Sequence, residues 1–434
     1  MNDQQTTTYS RRLFMQQGLT FASLTATAPL FLQRSAMGML APAGSMLSSQ
    51  PGVPEDRVLV VVQLGGGNDG LNTVVPYGMN AYHKARPNIA IPAPGRGTND
   101  RPAALDLGGL ADGLGLHPAF AGFKDLLDDG VASIVQGVGY PNPNRSHFTS
   151  MDIWHTADTD GINHGWIGRY FDNTCQGKPI PEGAVSIGRE SPLAMNGEIQ
   201  KPISFESADL FQWLGESMND SIDTSYQKIN RAGVLDNVDP DGQLGFLMRT
   251  ALDAQVSSER IRKAVAKKPL VRYPQGELAR QLRIVSAMIR DELKTRVYYV
   301  TLSGFDTHAG QAGQHANLLR QVGGALKSFH TDLRKQGNSS RVLTMVFSEF
   351  GRRVAQNASA GTDHGTAAPM FFVGDMIRPG VLGDHPSLAD LEQGDLRFKV
   401  DFRSLYAAVL EDWLGADSRS VLGSEFRKAR IIKA

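Results

Sequence analysis

Short apolar runs recur along the chain, and they constrain the fold more than any other feature. The runs are rich in Val, Ile and Leu, and most are continuously apolar rather than alternating. They cover residues 58–64, 131–137, 184–187, 297–302, 342–347 and 369–373. Continuous apolar runs are typical of strands that are covered on both faces of a mainly parallel sheet.

Amphipathic stretches lie between these runs. Apolar residues recur at the i, i+3, i+4 and i+7 spacing of a helix in residues 116–129, 276–293, 315–335 and 401–415. The alternation predicts an α/β fold, a three-layer sandwich with a mainly parallel central sheet. Residues 55–434 are predicted to form this single domain, and the polar residues 201–268 are predicted to be a helical insertion.

The first 45 residues predict an export signal rather than a part of the fold. A pair of arginines, Arg11 and Arg12, precedes a short and weakly apolar stretch that is followed by small residues such as Ala41 and Ala43. This layout is typical of a twin-arginine signal. The stretch is too short and polar for a membrane span. We therefore expect a periplasmic or secreted protein with no transmembrane span in the mature chain.

Charge and cysteine content exclude several classes of function. The chain has 44 Lys and Arg residues against 44 Asp and Glu residues, and no basic stripe stands out. This argues against nucleic-acid binding. The single cysteine, Cys175, excludes an intrachain disulfide and a multi-cysteine metal site.

A glycine-rich loop follows the first apolar run. Gly65, Gly67 and Gly70 have the G-x-G-x-x-G spacing of a dinucleotide-binding loop. That motif requires a following helix and an acidic residue about 20 positions later. The next residues, LNTVVPYG, are poor helix formers, and the later segment NIAIPAPGRG contains no acid. The loop is better interpreted as a tight turn that delivers Asp69 to a site at the end of the strand.

Polar side chains of the kind that bind metals follow the other strands. Asp306 and His308 come after the run at 297–302, Glu349 comes after the run at 342–347, and Asp363 and His364 precede the last run. In open α/β sheets, ligands bind beyond the carboxyl ends of the strands. Carboxylates and imidazoles gathered there predict a divalent metal site for zinc, manganese, magnesium or calcium.

A further polar segment, RSHFTSMDIWHT, follows the run at 131–137. Ser146, His147 and Thr149 lie where a helix is expected to begin. A helix N-terminus is electropositive and has free N–H groups, which favour an anion or an activated hydroxyl.

Together these motifs resemble the bacterial domain-of-unknown-function 1501 family, over about residues 58–426. They are LGGGNDGLNTVVPYG, RSHFTSMDIWHT, GWIGRY, GFDTHAGQ, FSEFGRR, GTDHGTAAPMFFVG and DFRSLYAAVLEDWLG. The family is similar to the alkaline phosphatase/sulfatase superfamily of metal-dependent hydrolases. The resemblance implies ester hydrolysis or group transfer at phosphorus or sulfur, on a small-molecule or glycan ester.

The resemblance also implies roles for individual residues. Ser146 matches the nucleophile, with Thr149 as the reserve, His147 is a candidate acid or base, and Arg352 is expected to contact the tetrahedral anion. The metal ligands that it implies are Asp69, Asp306, His308, Glu349 and His364, with Asp363 as a ligand or as a partner that orients one, and with His315 as an alternative to His308.

One position departs from the superfamily pattern. Relatives have an Asp-His pair where this chain has Glu349 and Phe350. Glu349 can replace the aspartate, but Phe350 cannot replace a histidine ligand. An alternative function therefore stays open, namely a non-catalytic exported protein that uses the fold to bind a protein partner, a surface glycan or a metal.

Overall fold

The fold is seen in a computed structural model that describes residues 56–160, 164–174, 181–188, 191–206 and 260–433. The predicted export signal, Cys175 and most of the predicted helical insertion lie outside the described residues.

The apolar runs form the strands of one central sheet. In chain order the strands are β1 Val58–Gly65, β2 Ala132–Gly139, β3 Ala184–Ile187, β4 Ile203–Phe205, β5 Val297–Ser303, β6 Val342–Ser348, β7 Ala368–Val373, β8 Gly380–Leu382 and β9 Val400–Asp401. Their order across the sheet is β8-β2-β7-β6-β1-β5-β3-β4, and β9 also pairs with β2. Strand β7 runs antiparallel to both of its neighbours, and the other pairs are parallel. The predicted α/β fold with a mainly parallel sheet is therefore confirmed.

Helices connect these strands. The α-helices are α1 Gly70–Thr73, α2 Asn80–Ala85, α3 Ala121–Asp128, α4 His147–Thr156, α5 Trp166–Thr174, α6 Glu277–Arg290, α7 Gln311–Gln336, α8 Phe402–Ala408 and α9 Ser418–Leu422. Helix α8 continues as a π-helical turn, Val409–Leu414, where the sequence predicted a single helix. Short 3-10 turns occur at Gly108–Leu110, Pro118–Phe120, Pro181–Gly183, Leu193–Met195 and Ser339–Arg341.

Two small sheets lie outside the central one. The first joins Val74–Val75, Leu105–Asp106 and Gly115–Leu116, and the second is a hairpin of Leu391–Glu392 and Asp395–Leu396. The sequence pattern predicts neither sheet, because strands of two residues are too short to show a period.

The central sheet is covered on both faces, which gives three layers. Alternate residues of β1 point to opposite faces. Val60 and Val62 pack in one apolar cluster with residues of α3, α6 and α7, whereas Leu59 and Val61 pack in another with residues of α4, α5 and α8. Burial on both faces explains why β1 is continuously apolar in sequence.

This topology gathers several loops at one edge of the sheet. Strands β1, β2, β5 and β6 are parallel, so the loops that follow them leave from the same edge. Because β7 is antiparallel, the loop that precedes it lies at this edge as well. In the part of the chain that the structure describes, no helix is long and apolar enough to cross a membrane.

Gly122 allows helices α3 and α7 to pack closely, and this contact can be tested. A Cβ atom at Gly122 would lie 2.5 Å from the backbone oxygen of Gly323. We expect Gly122→Ala to lower the free energy of unfolding by about 1–3 kcal/mol, because the two backbones would have to separate. The measurement is urea denaturation.

The matched control is Gly313→Ala, in α7, where a Cβ would meet no atom within 4 Å. Alanine favours helix over glycine, so this variant should be as stable as the original protein or slightly more stable. Equal effects of the two substitutions would contradict the close packing.

Candidate functional site

Side chains from three of the gathered loops meet at Asp306. His147 begins α4, Asp306 and His308 follow β5, and His364 precedes β7. Asp306 Oδ1 lies 3.4 Å from His147 Nε2, 3.0 Å from His308 Nε2 and 3.1 Å from His364 Nε2. His147, Asp306 and His364 each offer a ligand atom, and these atoms lie within 4.8 Å of one another, so the three residues could hold a metal ion.

The other ring nitrogen of His147 and of His364 donates to an oxygen that can only accept. His147 Nδ1 lies 2.8 Å from Glu349 Oε1, and His364 Nδ1 lies 2.8 Å from the backbone oxygen of Arg145. A neutral imidazole has one proton, and these acceptors hold it on Nδ1. The Nε2 atoms of both rings therefore present lone pairs to Asp306.

The Nδ1 atom of His308 also lies beside an oxygen that can accept its proton. Its Nδ1 lies 3.2 Å from Asp363 Oδ1, and its Nε2 lies 2.9 Å from His364 Nε2. In the described part of the chain, His147 Nε2 is buried and has no hydrogen-bond partner. With the protons on Nδ1, three imidazole Nε2 atoms converge on a carboxylate oxygen, and added protons or a cation would stabilise this arrangement.

The distances agree with a metal site. Zinc–nitrogen bonds are about 2.0–2.1 Å, so two ligand atoms on a tetrahedral zinc ion are about 3.3 Å apart. The separations from Asp306 Oδ1 to the three Nε2 atoms are 3.0–3.4 Å, and the ligand atoms of His147, Asp306 and His364 all lie within 4.8 Å of one another. Imidazole and carboxylate are also ligands that zinc prefers. The residues at the site therefore fit a divalent metal ion.

The charge state of the cluster is set by its neighbours. Burial favours a higher pKa for Asp306, but the hydrogen bond and the positive charge of Arg352 outweigh it and lower this pKa to about 2. The hydrogen bond to Glu349 raises the pKa of His147 above its usual value, and burial lowers the pKa of His364. Asp306 is therefore ionised at neutral pH.

Glu349 was predicted as a ligand, and Asp363 as a ligand or as a partner that orients one; in this structure both lie at the Nδ1 atom of a histidine. Besides His147, Glu349 Oε1 accepts from the backbone N–H of Gly66 at 2.8 Å, and its Oε2 accepts from the hydroxyl of Ser348 at 3.0 Å. A carboxylate that holds the far nitrogen of a histidine ligand fixes its tautomer and raises its basicity.

Arg352 also differs from its expected role. The resemblance implied a contact with the substrate anion, but the side chain is fully buried. It donates to the backbone oxygens of Gly66, Gly67, Phe305 and Thr362, and to Asp306 at 2.6 Å. These acceptors occupy the guanidinium, so Arg352 fastens loops together and holds Asp306.

Asp69 is not brought to the cluster. It is fully buried, and its Oδ2 accepts from Arg86 Nη1 at 2.5 Å and from the side-chain amide of Gln311. Burial favours a higher pKa for this carboxyl, and the ion pair with Arg86 outweighs it, so the pKa is lowered. The alternative ligand His315 also lies apart, bonded to Asn68 Oδ1 at 2.9 Å, and burial lowers its pKa to about 4.

Gln311 connects the Asp69 ion pair to the loops of the cluster. Its Oε1 accepts from the hydroxyls of Thr307 at 3.1 Å and Thr362 at 2.6 Å. Thr307 lies between two of the cluster residues, and Thr362 lies next to Asp363. Sequence reasoning missed Gln311, Arg86 and Arg145, since a helix amide, a loop arginine and a backbone oxygen show no local signal of a shared site.

Ser146 lies between two residues that contact the cluster, Arg145 and His147. It is exposed, it occupies the N-cap position of α4, and its side chain makes no capping hydrogen bond. Thr149 is exposed in the first turn of the same helix. The ring of Phe350 packs beside His147 and His364, with centroids 4.8 and 4.9 Å apart.

Two cavities border the cluster. One of about 810 Å³ is lined by His147, Asp306 and Glu349 together with residues of β1, β3, β5, α4 and α6. The other, of about 480 Å³, reaches Glu349 from the side of Arg145 and Phe350. A substrate can thus approach the cluster from solvent.

The chain belongs to a protein family of unknown function, DUF1501, whose model matches residues 56–430. No curated protein gives a significant match.

Several solved structures show a remote likeness to the chain. A protein of the alkaline phosphatase superfamily from Vibrio parahaemolyticus is 10% identical with a TM-score of 0.41, and the match covers 92% of this chain and 78% of that one. The PsFucS1 sulfatase from Pseudoalteromonas sp. is 10% identical with a TM-score of 0.38, and the match covers 93% of this chain and 77% of that one. The lipoteichoic acid synthase LtaP from Listeria monocytogenes is 9% identical with a TM-score of 0.36, and the match covers 91% of this chain and 82% of that one. Identities this low leave the function to be inferred from the side chains of the chain itself.

The buried Asp69–Arg86 ion pair is expected to be important for the stability of the fold. Arg86→Met leaves the carboxylate of Asp69 buried without its cation, which should lower the free energy of unfolding by about 3–5 kcal/mol. The double variant with Asp69→Asn should lose less, because no charge stays buried alone. Chemical denaturation measures both.

The control is Lys124→Met, which breaks the more exposed pair between Lys124 and Asp128. Pairs of this kind contribute about 1 kcal/mol or less. A loss for Arg86→Met no larger than that of the control would contradict the assigned role of the buried pair.

Proposed function

We propose that the protein binds one divalent metal ion through His147, Asp306, His308 and His364, and that it hydrolyses or transfers a phosphate or sulfate ester. One observation carries the metal site. Three imidazole Nε2 atoms converge on Asp306 Oδ1, and each Nδ1 atom lies beside an oxygen that can accept its proton. Such an arrangement is most stable around a cation.

Zinc is the metal that we expect. Imidazole ligands favour zinc, whereas magnesium, calcium and manganese are suited to sites made of oxygen ligands. When bound, the metal would lower the pKa of a nearby hydroxyl and neutralise charge on the ester oxygens.

Ser146 is the proposed nucleophile. Its hydroxyl is exposed and free of a capping bond, and the flanking residues Arg145 and His147 both contact the cluster. The positive N-terminus of the ten-residue helix α4 favours an anion at this point. The serine oxygen would bond to phosphorus or sulfur while the bond to the substrate alcohol breaks, and the serine proton would be balanced by protonation of that alcohol. Water, or an acceptor alcohol in a transferase, would then take the group and restore the serine.

We also propose that the protein acts outside the cytoplasm, after export by the twin-arginine route. The support is the arginine pair and the short apolar stretch behind it.

A second candidate is metal-dependent binding without catalysis, to an exported protein partner or a surface glycan. Arg352, the arginine expected to hold the substrate anion, is buried and bonded to protein oxygens. Phe350 occupies a place where a histidine ligand was expected.

Metal binding can be tested without any substrate. Purified protein should hold about one zinc ion per chain, measured by elemental analysis, and affinity follows from competition with a chromogenic chelator. We expect His364→Ala and Asp306→Asn to abolish tight binding and Glu349→Gln to weaken it about 10–100-fold, as for other residues that orient ligands.

The control for these variants is His83→Ala. His83 is partly buried and contacts the backbone oxygen of Tyr77, outside the cluster. Equal zinc affinity in the His83 and His364 variants would overturn the proposed ligand set.

The nucleophile can be tested with aryl phosphate, phosphodiester and sulfate esters on the zinc-loaded protein. Ser146→Ala should abolish turnover while zinc affinity stays unchanged, and Thr149→Ala should retain turnover. Full activity of the Ser146 variant would reject this nucleophile. Zinc binding without turnover of any ester would favour the second candidate.

A further inference from the structure

Much of the larger cavity, of about 810 Å³, is lined by residues that are not part of the metal cluster. Phe148, Met151, Asp152 and His155 line it from α4. Their i, i+3, i+4 and i+7 spacing places them on one face of the helix. The Phe148 side chain is 86% exposed, far more than the other large apolar residues in the described part of the chain. An aromatic ring so exposed beside a reactive site is suited to stack on a ligand.

The walls away from α4 carry several uncharged polar side chains. Six side chains there can donate or accept hydrogen bonds, namely Gln63, Ser186, Ser191, Gln281, Thr301 and Ser303. The Oε1 atom of Gln63 accepts from Tyr299 at 2.5 Å and lies 3.0 Å from His155 Nε2. Its oxygen is therefore occupied, and its NH2 group remains to donate to a ligand.

The charges that line the cavity away from the metal cluster disfavour an anionic ligand there. Asp152 and Glu277 line it, and both are exposed. Among the described residues that line the cavity, none is Lys or Arg. The carboxylates accept hydrogen bonds from hydroxyl or ammonium groups, whereas a ligand carboxylate or sulfate would meet like charge.

We propose that this cavity binds a hydroxyl-rich, non-anionic sugar ring, as the alcohol part of the ester whose phosphate or sulfate group lies at the metal cluster. Phe148 stacks on the C–H face of the ring, and Asp152, Glu277 and Gln63 bond to its hydroxyls. The inference rests on the proposed function for its link to the reacting group, but the sugar site itself can be measured without metal and without an ester.

The experiment uses the full chain, stripped of metal, and ligands that share one scaffold. Binding of methyl glucoside, methyl glucosaminide and methyl glucuronide is compared by saturation-transfer NMR, with cyclohexylmethanol as an apolar alcohol of similar size. We expect the neutral and amino glycosides to bind, and the glucuronide and cyclohexylmethanol to bind at least about 10-fold more weakly. Equal binding of the glucuronide, or of cyclohexylmethanol, would overturn the proposal.

Variants identify the surface that binds. Phe148→Ala should weaken glucoside binding about 10-fold without loss of the folded circular dichroism spectrum, since the ring is exposed. Phe398→Ala, at a 37% exposed ring that lines the other cavity, should have no effect. Asp152→Lys should reduce the ratio of the affinity for the glucoside to the affinity for the glucuronide. Unchanged glucoside binding in the Phe148 variant would also reject the site.

The outcomes separate this inference from the proposed function. Glycoside binding without ester turnover would contradict only the catalytic proposal. Turnover of small aryl esters by a protein that binds none of the glycosides would contradict only the sugar site.

Discussion

The buried guanidinium of Arg352 is the interaction on which the site depends. It donates to backbone oxygens of the β1 loop at Gly66 and Gly67, of the β5 loop at Phe305 and of the loop before β7 at Thr362. It also donates to Asp306, the centre of the cluster. One side chain thus joins three loops that are far apart in sequence. A planar guanidinium with five donors can do this, whereas a lysine ammonium has only three.

The glycine loop makes this arrangement sterically feasible. Gly66 and Gly67 have positive φ angles of 115° and 73°. A Cβ at Gly66 would lie 2.4 Å from the backbone nitrogen of Asp306, and one at Gly67 would lie 2.4 Å from the ring of Phe350. The glycines therefore bring the β1 loop against Asp306 and against Phe350. The tight turn expected from the sequence is present, but it presents backbone groups to Arg352 and Glu349, and the carboxylate of Asp69 pairs with Arg86 instead of reaching the cluster.

The fold, and the gathering of polar loops at one edge of its sheet, could be predicted from sequence, because each depends on a local pattern. Continuous apolar runs mark strands that are buried on both faces, and the polar residues that follow parallel strands gather at one edge. The roles of individual residues could not be predicted in this way. Whether Glu349 contacts a metal or the far side of His147 is decided by distances of a few ångströms between separate loops. Asp69 and Glu349 both follow strands, and only the partner that the fold supplies, Arg86 for one and His147 for the other, distinguishes their roles.

The charge balance of the cluster gives an independent reason to expect a cation. Asp306, Glu349 and Asp363 contribute three carboxylates, and Arg352 contributes one guanidinium, so two negative charges remain while the histidines are neutral. A divalent ion neutralises them. In its absence the same charge favours protons on the imidazoles; the hydrogen bond to Glu349 raises the pKa of His147, whereas burial outweighs the charge at His364 and lowers its pKa. Protons and metal therefore compete for the same Nε2 lone pairs, because the orienting acceptors already hold the Nδ1 protons.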